Sequence, residues 1–174
     1  MSKRTSLKDF QEGLAVRLKA AAGEAAPSAR LSFEAGGSFW LLRLEGSGEV
    51  LPVPAISQVP LTRGWFLGVA NVRGVLYGVS DFAALLGREP TTRSAENRIM
   101  LIGQAQGVNA ALLVSRLTGL RNVQQLAPAD PAGEGAAWAE GAWRDAEGRI
   151  WRELDAARLV ADRAFLDVAA ATVH

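Results

Sequence analysis

The chain lacks the side chains that most catalytic and metal sites require. Its 174 residues include no cysteine, and the single histidine is His174, the last residue of the sequence. Thiolate chemistry and disulfides are therefore excluded, and Ser-His-Asp or Cys-His catalysis has no usable base. Neither a G-x-x-x-x-G-K-[ST] nor a G-x-G-x-x-G phosphate loop occurs. An enzyme that uses carboxylates or a bound cofactor stays open as an alternative, although the acidic residues do not cluster.

The chain also has little net charge and no long apolar run. The formal net charge is +1 and the arginines are spread along the sequence, which predicts no nucleic-acid partner. No stretch approaches the roughly 20 apolar residues that cross a bilayer, so we predict no direct membrane insertion. The first 14 residues lack the apolar segment of a secretory signal. We expect a cytoplasmic protein that needs no cofactor and no metal.

The pattern of apolar residues divides the chain into three segments. Residues 1–30 predict an amphipathic helix over residues 5–22 and a linker over 23–30, because apolar residues recur at helical spacing and Ser6 and Asp9 resemble a capping box. Residues 31–162 contain short apolar runs between glycine turns, which are typical of β-strands. The polar residues 88–97 are predicted to separate two halves, and residues 127–137 are predicted to form a loop. Asp155 is predicted to begin a helix that ends within residues 163–174.

The most informative stretch runs from Val69 to Phe82. Asn71 can bond its own backbone at a turn, and Gly74 permits a tight bend. Ser80 or Asp81 can cap a short helix that follows. Arg73 is the unusual member, because a charge inside an otherwise apolar strand must be paired, exposed or available to a partner.

This stretch carries a resemblance to a known family. The sequence GVANVRGVLYGVSDF resembles the G-x-x-N-L-R-G-x-x-x-P-V-x-D-L signature of CheW-like domains, and the later runs RIMLIG and EGRIWREL are similar to its later strands. The resemblance covers residues 31–162. The predicted N-terminal helix and the many alanines are most similar to the PilI type of the family, which belongs to type IV pilus chemosensory systems.

The resemblance implies a mainly β fold. The family has two SH3-like, five-stranded β-barrel subdomains packed over a shared apolar core. The residues themselves add a short mid-chain helix and a C-terminal helix to this fold, together with the N-terminal helix and linker of residues 1–30.

The resemblance also implies a function without catalysis. Family members are adaptors between the regulatory domain of a CheA-like histidine kinase and the cytoplasmic tip of a methyl-accepting chemoreceptor. The PilI type implies control of twitching motility. The matching motif predicts six partner-binding residues: Arg73, Asn71, Gly74, Val69, Gln58 and Leu76.

Gln58 marks a departure from the family pattern. It stands at the position matched to a glutamate that pairs with the family arginine. An amide cannot neutralise a guanidinium, so the charge of Arg73 is predicted to stay available. For Arg73 itself, a structural role and a partner-facing role both stay open.

Two further predictions concern packing and an alternative function. Val69 and Leu76 are expected in the core, as apolar strand residues usually are. Trp138 and Trp143 are candidates for exposed interface anchors, although a packed tryptophan is the commoner outcome. The alternative function is a barrel module that binds a peptide or small molecule in the groove between the subdomains, without kinase coupling.

Overall fold

The protein is built from two β-sheets with short helices at their edges. The computed structural model describes residues 28–130 and 137–170. Within them the strands are β1 (Ala29–Ala35), β2 (Ser38–Arg43), β3 (Ser47–Pro52), β4 (Phe66–Val72), β5 (Val75–Asp81), β6 (Arg98–Ile102), β7 (Ala110–Val114), β8 (Arg116–Asn122), β9 (Ala127–Ala129), β10 (Ala139–Arg144) and β11 (Ile150–Leu154). The helices are α1 (Phe82–Leu85), α2 (Ala156–Ala161) and α3 (Arg163–Leu166).

The strand order assigns each sheet to one subdomain. The six-stranded sheet has the order β8-β1-β2-β11-β10-β9, and the five-stranded sheet has the order β3-β6-β7-β5-β4. Neighbours are antiparallel except β2 with β11 and β5 with β7. The predicted mainly β fold with two barrel-like subdomains is therefore confirmed, with six strands rather than five in one of them.

The predicted division at residues 88–97 is wrong. This segment connects α1 to β6 inside the five-stranded sheet, whereas β1 and β2 pair with strands from the C-terminal part of the chain. Asp81 holds the segment in place, because its carboxylate accepts hydrogen bonds from the backbone N–H and the hydroxyl of Thr91 at 2.7 and 2.8 Å. The polar composition reflects a surface connection and not a subdomain boundary.

Strand alternation sorts the apolar residues between several clusters. In β6, Met100 and Ile102 face a core shared by both sheets, while Ile99 and Leu101 face a second cluster within the five-stranded sheet. The same period of two separates Trp40 and Leu42 of β2 from Leu41, which joins a third cluster in the six-stranded sheet. Members of the shared core from both sheets include Leu31, Phe33, Trp40, Met100, Leu112 and Leu154.

Trp138 lies in the shared core and not at an exposed interface. Its ring centroid is 6.2 Å from that of Trp40 and 5.6 Å from that of Phe82, and the residue is buried. Of the two alternatives for Trp138, an exposed anchor and a packed tryptophan, the structure shows the packed one, because the chain enters β10 beside the core directly after this residue. Trp143 is half-buried and donates a hydrogen bond to Glu153.

The helix starts agree with the sequence. Asp81 caps α1 by accepting from the backbone N–H groups of Ala83 and Ala84, and Asp155 caps α2 by accepting from Arg158. The helix predicted after Asp155 is divided in two, because Asp162 has an extended backbone and caps α3.

Two other predicted segments need comment. Residues 127–129, predicted as part of a loop, form β9 against β10. The helix predicted within residues 5–22 lies outside the described residues. No helix in residues 28–130 and 137–170 has the length and apolar character needed to cross a membrane.

Candidate partner-binding site

The central motif forms a tight hairpin between β4 and β5. Val72 pairs with Val75, so the turn consists of Arg73 and Gly74 alone. Their φ angles are +52° and +86°, and positive values at both positions match the right-handed twist of a hairpin. Asn71 Oδ1 accepts a hydrogen bond from the backbone N–H of Gly74 at 2.8 Å. The predicted turn roles of Asn71 and Gly74 are thus present.

Arg73 lies at the hairpin tip and not inside a strand. Its guanidinium donates two hydrogen bonds of 2.5 Å to the carboxylate of Glu49 on β3, one to each oxygen. The prediction of an available charge opposite Gln58 is therefore wrong, because Glu49 supplies the carboxylate. Bidentate pairs of this kind are geometrically specific, although 74% of the Arg73 side chain stays exposed.

The ion pair joins the two edges of the five-stranded sheet. Glu49 lies on β3 at one edge of the strand order, and Arg73 directly follows β4 at the other edge. Contact between the edges requires the sheet to curl round on itself, as an SH3-like barrel does. Arg73 therefore has a structural contact, and its exposed surface still faces solvent. Sequence reasoning missed Glu49, a lone acid at the start of the apolar run EVLPV.

The hairpin tip also exposes apolar side chains. Leu76 is 60% exposed and stands opposite Asn71 in the β4–β5 register. Val75, next to the turn, is also exposed. The expectation that Leu76 lies in the core is wrong, because it occupies the strand face opposite Tyr77. The hairpin tip therefore offers a partner both an apolar side chain, Leu76, and a charged one, Arg73.

Val69 and Gln58 lie farther along the same edge. Val69 is half-buried, and its backbone N–H and C=O both bond to Ser57 at 2.9 and 2.8 Å. This places Gln58, the next residue, beside β4. Gly68 permits the close approach, since an added Cβ would lie 2.1 Å from the Ser57 carbonyl oxygen. The structure thus groups Asn71, Arg73, Gly74 and Leu76 at the tip and leaves Val69 and Gln58 along the strand below it.

A polar groove of about 390 Å³ lies on another part of the surface. It is lined by the β1–β2 turn, the segment after α1 and the start of β8, with Glu34, Glu89, Glu96 and Arg116 as its charged residues. Arg116 and Glu34 pair with each other at 2.7 Å. Within the described part of the chain, no group of three or more His, Cys, Asp or Glu side chains has the arrangement of a metal site.

A second group of charges lies in the six-stranded sheet. Glu153 is buried, and one of its oxygens accepts hydrogen bonds from Arg30 at 2.7 Å and Arg43 at 3.1 Å. The other oxygen accepts from Trp143 Nε1 at 3.1 Å. Burial by itself would raise the pKa of Glu153, but the bonds from Arg30, Trp143 and Arg43 hold that pKa below its usual value.

The aspartate at the β10–β11 turn is held in the same manner. Asp145 is buried and accepts a hydrogen bond from Trp151 Nε1 at 2.9 Å and from the backbone of Arg149 and Glu147. Burial would raise the pKa of Asp145, but these bonds keep it below its ordinary range. Both carboxylates are satisfied within the fold, so the hairpin tip is the better candidate for a partner.

The fold and the hairpin motif define the class of this protein. The CheW-like domain family model matches residues 30–164, and the chain belongs to that family. It is 32% identical over 108 residues to protein PilI of Pseudomonas aeruginosa, an alignment that covers 59% of this chain and 60% of that protein. The aligned region is thus less than two thirds of the relative's length.

A solved structure supports the same fold. The scaffolding protein TtCheW from Thermoanaerobacter tengcongensis superimposes with a TM-score of 0.63 at 21% identity. The match covers 74% of this chain and 89% of that one.

Proposed function

We propose that this protein is a cytoplasmic, non-catalytic adaptor that couples chemoreceptors to a CheA-like histidine kinase. The observation that carries the proposal is the hairpin tip of a CheW-like domain, where Arg73 in the turn and Leu76 on β5 are exposed. One surface contacts the kinase regulatory domain and another contacts the tip of a methyl-accepting chemoreceptor. Receptor state then biases the kinase through the geometry of the shared contacts.

The proposed output is twitching motility driven by type IV pili. Its support is the 32% identity to a protein named PilI, together with the predicted N-terminal helix and the many alanines. Deletion of the gene in its own organism is expected to abolish twitching zones on agar while swimming motility is unchanged. Loss of swimming with normal twitching would contradict the proposed output but not the adaptor role.

The adaptor role is tested by calorimetry with the purified full chain. The titrants are the regulatory domain of the CheA-like kinase from the same genome, a receptor-tip fragment, and both together. We expect saturable binding of the kinase domain that the receptor tip strengthens or competes. No binding at high micromolar concentration in any arm would contradict kinase coupling.

The role of Arg73 is tested with a charge-swapped pair. Arg73→Glu places two carboxylates together and is expected to weaken partner binding by about tenfold or more, the usual effect of losing an interface anchor. The double variant R73E/E49R restores an ion pair with the charges exchanged. Binding that stays weak in the double variant supports direct contact by Arg73.

Recovery of binding in the double variant would mean that Arg73 acts only by closing the barrel. Circular dichroism of both variants shows whether the fold persists. The alternative function, a ligand-binding module without kinase coupling, would instead give a ligand in the groove between the subdomains and no kinase affinity.

A further inference from the structure

The polar groove beside the β1–β2 turn is held in shape by specific contacts. Arg88, which follows α1, donates hydrogen bonds to the Gly36 carbonyl at 2.6 Å and to Ser38 Oγ at 2.8 Å. An added Cβ at Gly36 would lie 2.8 Å from Arg88 Cδ, so glycine permits this close approach. Farther along the groove, Asn97 Nδ2 donates to the Ser115 carbonyl at 3.1 Å. These bonds join the segment before β6 to the six-stranded sheet and fix both walls of the groove.

The groove contains more negative charge than its own contacts neutralise. Arg116 is the one cation among the lining residues, and it is already paired with Glu34 at 2.7 Å. Glu89 and Glu96 also line the groove and are exposed. Among the residues that the structure describes, neither of these two has an ion-pair partner. A cleft in which one sign of charge dominates attracts the opposite charge, so the groove favours a cationic occupant.

Positive charge is concentrated at the start of the sequence. Of the 19 basic and 18 acidic residues of the chain, 5 and 3 lie within residues 1–27, which gives this segment a net charge of +2. The 14 basic and 15 acidic residues of 28–174 give a net charge of −1. All three lysines of the chain are in the first segment: Lys3, Lys8 and Lys19. The chain therefore contains a basic segment whose charge is complementary to the groove.

We propose that the first basic residues of this chain, Lys3, Arg4 and Lys8, dock in the polar groove against Glu89 and Glu96. The occupant is a segment of the same molecule and not a partner protein, so the inference does not depend on the proposed adaptor function. Because the segment is covalently joined to β1, its effective concentration at the groove is about millimolar. The docked segment excludes other cationic ligands from the groove.

The segment has the length that this contact requires. β1 begins at Ala29, and its far end adjoins Gly36 in the groove, so the seven residues of the strand span about 23 Å. The helix predicted over residues 5–22 would be about 27 Å long. With residues 23–27 as the connection, a helix that runs back along β1 brings Lys8 and the residues before it to the groove.

Chemical crosslinking of the full chain tests where the segment lies. A carbodiimide couples a lysine amine directly to a carboxylate, and residues 28–174 contain no lysine, so every lysine crosslink reports the position of the first segment. We expect crosslinks within the monomer from Lys3 or Lys8. Their main partners are expected to be Glu89 and Glu96, in a yield about threefold or more above that of other exposed acids.

A second measurement tests the two groove carboxylates without requiring them to react. Brief trypsin digestion of the folded chain is followed by mass spectrometry at Lys8. In the double variant Glu89→Gln/Glu96→Gln we expect cleavage after Lys8 to be about threefold faster than in the wild type, because the docked segment is released. The matched control Glu45→Gln/Glu147→Gln removes two exposed charges outside the groove and is expected to be cleaved at the wild-type rate.

Salt dependence completes the test. In 1 M salt the Debye length falls to about 3 Å, so the preferred crosslinks and the protection of Lys8 are both expected to be lost. Lysine crosslinks spread evenly over the exposed acids would overturn the proposal, and so would equal cleavage rates in the two double variants. Crosslinks that join two molecules and increase with protein concentration would also overturn it, because the occupant would then be a second copy of the chain. These measurements involve no kinase or receptor, so their failure leaves the adaptor proposal standing.

Discussion

The two sheets differ in the face that each turns away from the shared core. In the five-stranded sheet this face is apolar, with Ile99, Leu101, Ala111 and Leu113 packed together and the Tyr77 hydroxyl bonded to Gln104. In the six-stranded sheet, Leu41 and Trp151 share the corresponding face with Glu153 and its arginine partners. The face of the five-stranded sheet is stabilised by apolar burial. The face of the six-stranded sheet is stabilised by apolar burial and by a buried network of charged side chains.

The difference follows from how the chain supplies the strands. The five-stranded sheet is made from one continuous stretch, β3 to β7, whereas the six-stranded sheet joins β1 and β2 to strands from the C-terminal part. Arg30 and Glu153 are 123 residues apart in sequence. A slip of one residue in the β2–β11 pairing would turn Glu153 into the shared core, so the network specifies the register of distant strands.

The largest effect that tests this comparison is removal of the buried charge. Glu153→Gln keeps the size of the side chain but removes the carboxylate that Arg30 and Arg43 share. We expect a loss of about 3 kcal/mol in the free energy of unfolding, because breaking a buried pair leaves poorly compensated charge. Urea denaturation at pH 7 measures it.

The matched control changes an acid of the same network nearer the surface. Glu140→Gln removes a partner of Arg43 that lies at 2.8 Å, and here we expect less than about 1 kcal/mol. Equal losses of unfolding free energy for the two variants would show that burial of Glu153 does not matter. The proposed difference between the two sheet faces would then be contradicted.

The pH dependence of stability provides the next effect. The folded-state pKa of Glu153 lies below its usual value of 4.5. Its stabilising contribution is therefore complete above about pH 4.5 and is lost as the pH falls through the lower folded-state pKa. The difference in stability between Glu153→Gln and the wild type is expected to narrow as the pH falls below 4.5.

Leu101→Ala serves as the comparison in the apolar face. Its cost of about 3 kcal/mol arises from lost packing and is expected to be the same at pH 7 and at pH 4. Denaturation curves of the three proteins across this range compare the faces directly. A gap for Glu153→Gln that stays constant with pH would show that the carboxylate contributes no charge-dependent stability.

The sequence alone predicts the local parts of this structure well. The turn roles of Asn71 and Gly74 and the caps at Asp81 and Asp155 depend on residues within four positions of each other. Strand alternation likewise follows from neighbours. These features need no knowledge of the tertiary arrangement, and they are the ones that the structure confirms.

The main failures involve contacts between distant segments. Glu49 meets Arg73 only because the two edge strands of one sheet come together. Residues 88–97 look like a boundary until β3 is seen beside β6. Trp138 follows a Gly- and Ala-rich stretch, yet it packs on Trp40, nearly a hundred positions away. Composition and periodicity describe neighbours along the chain, so they cannot predict which distant segments pair.

The smallest expected effect concerns the exposed pair that closes the five-stranded sheet. Glu49→Gln removes the carboxylate bound by Arg73, just as Glu153→Gln removes the one bound by Arg30. Because 74% of the Arg73 side chain is exposed, water and salt screen the pair, and we expect a loss below about 1 kcal/mol that shrinks further in high salt. Urea denaturation at low and high salt measures it. A loss as large as that of Glu153→Gln would mean that this sheet also depends on a specific charge pair, to hold its edges together. The apolar face would then not be sufficient to keep β3 beside β4. The two subdomains would both depend on an ion pair and would differ only in whether that ion pair is exposed or buried.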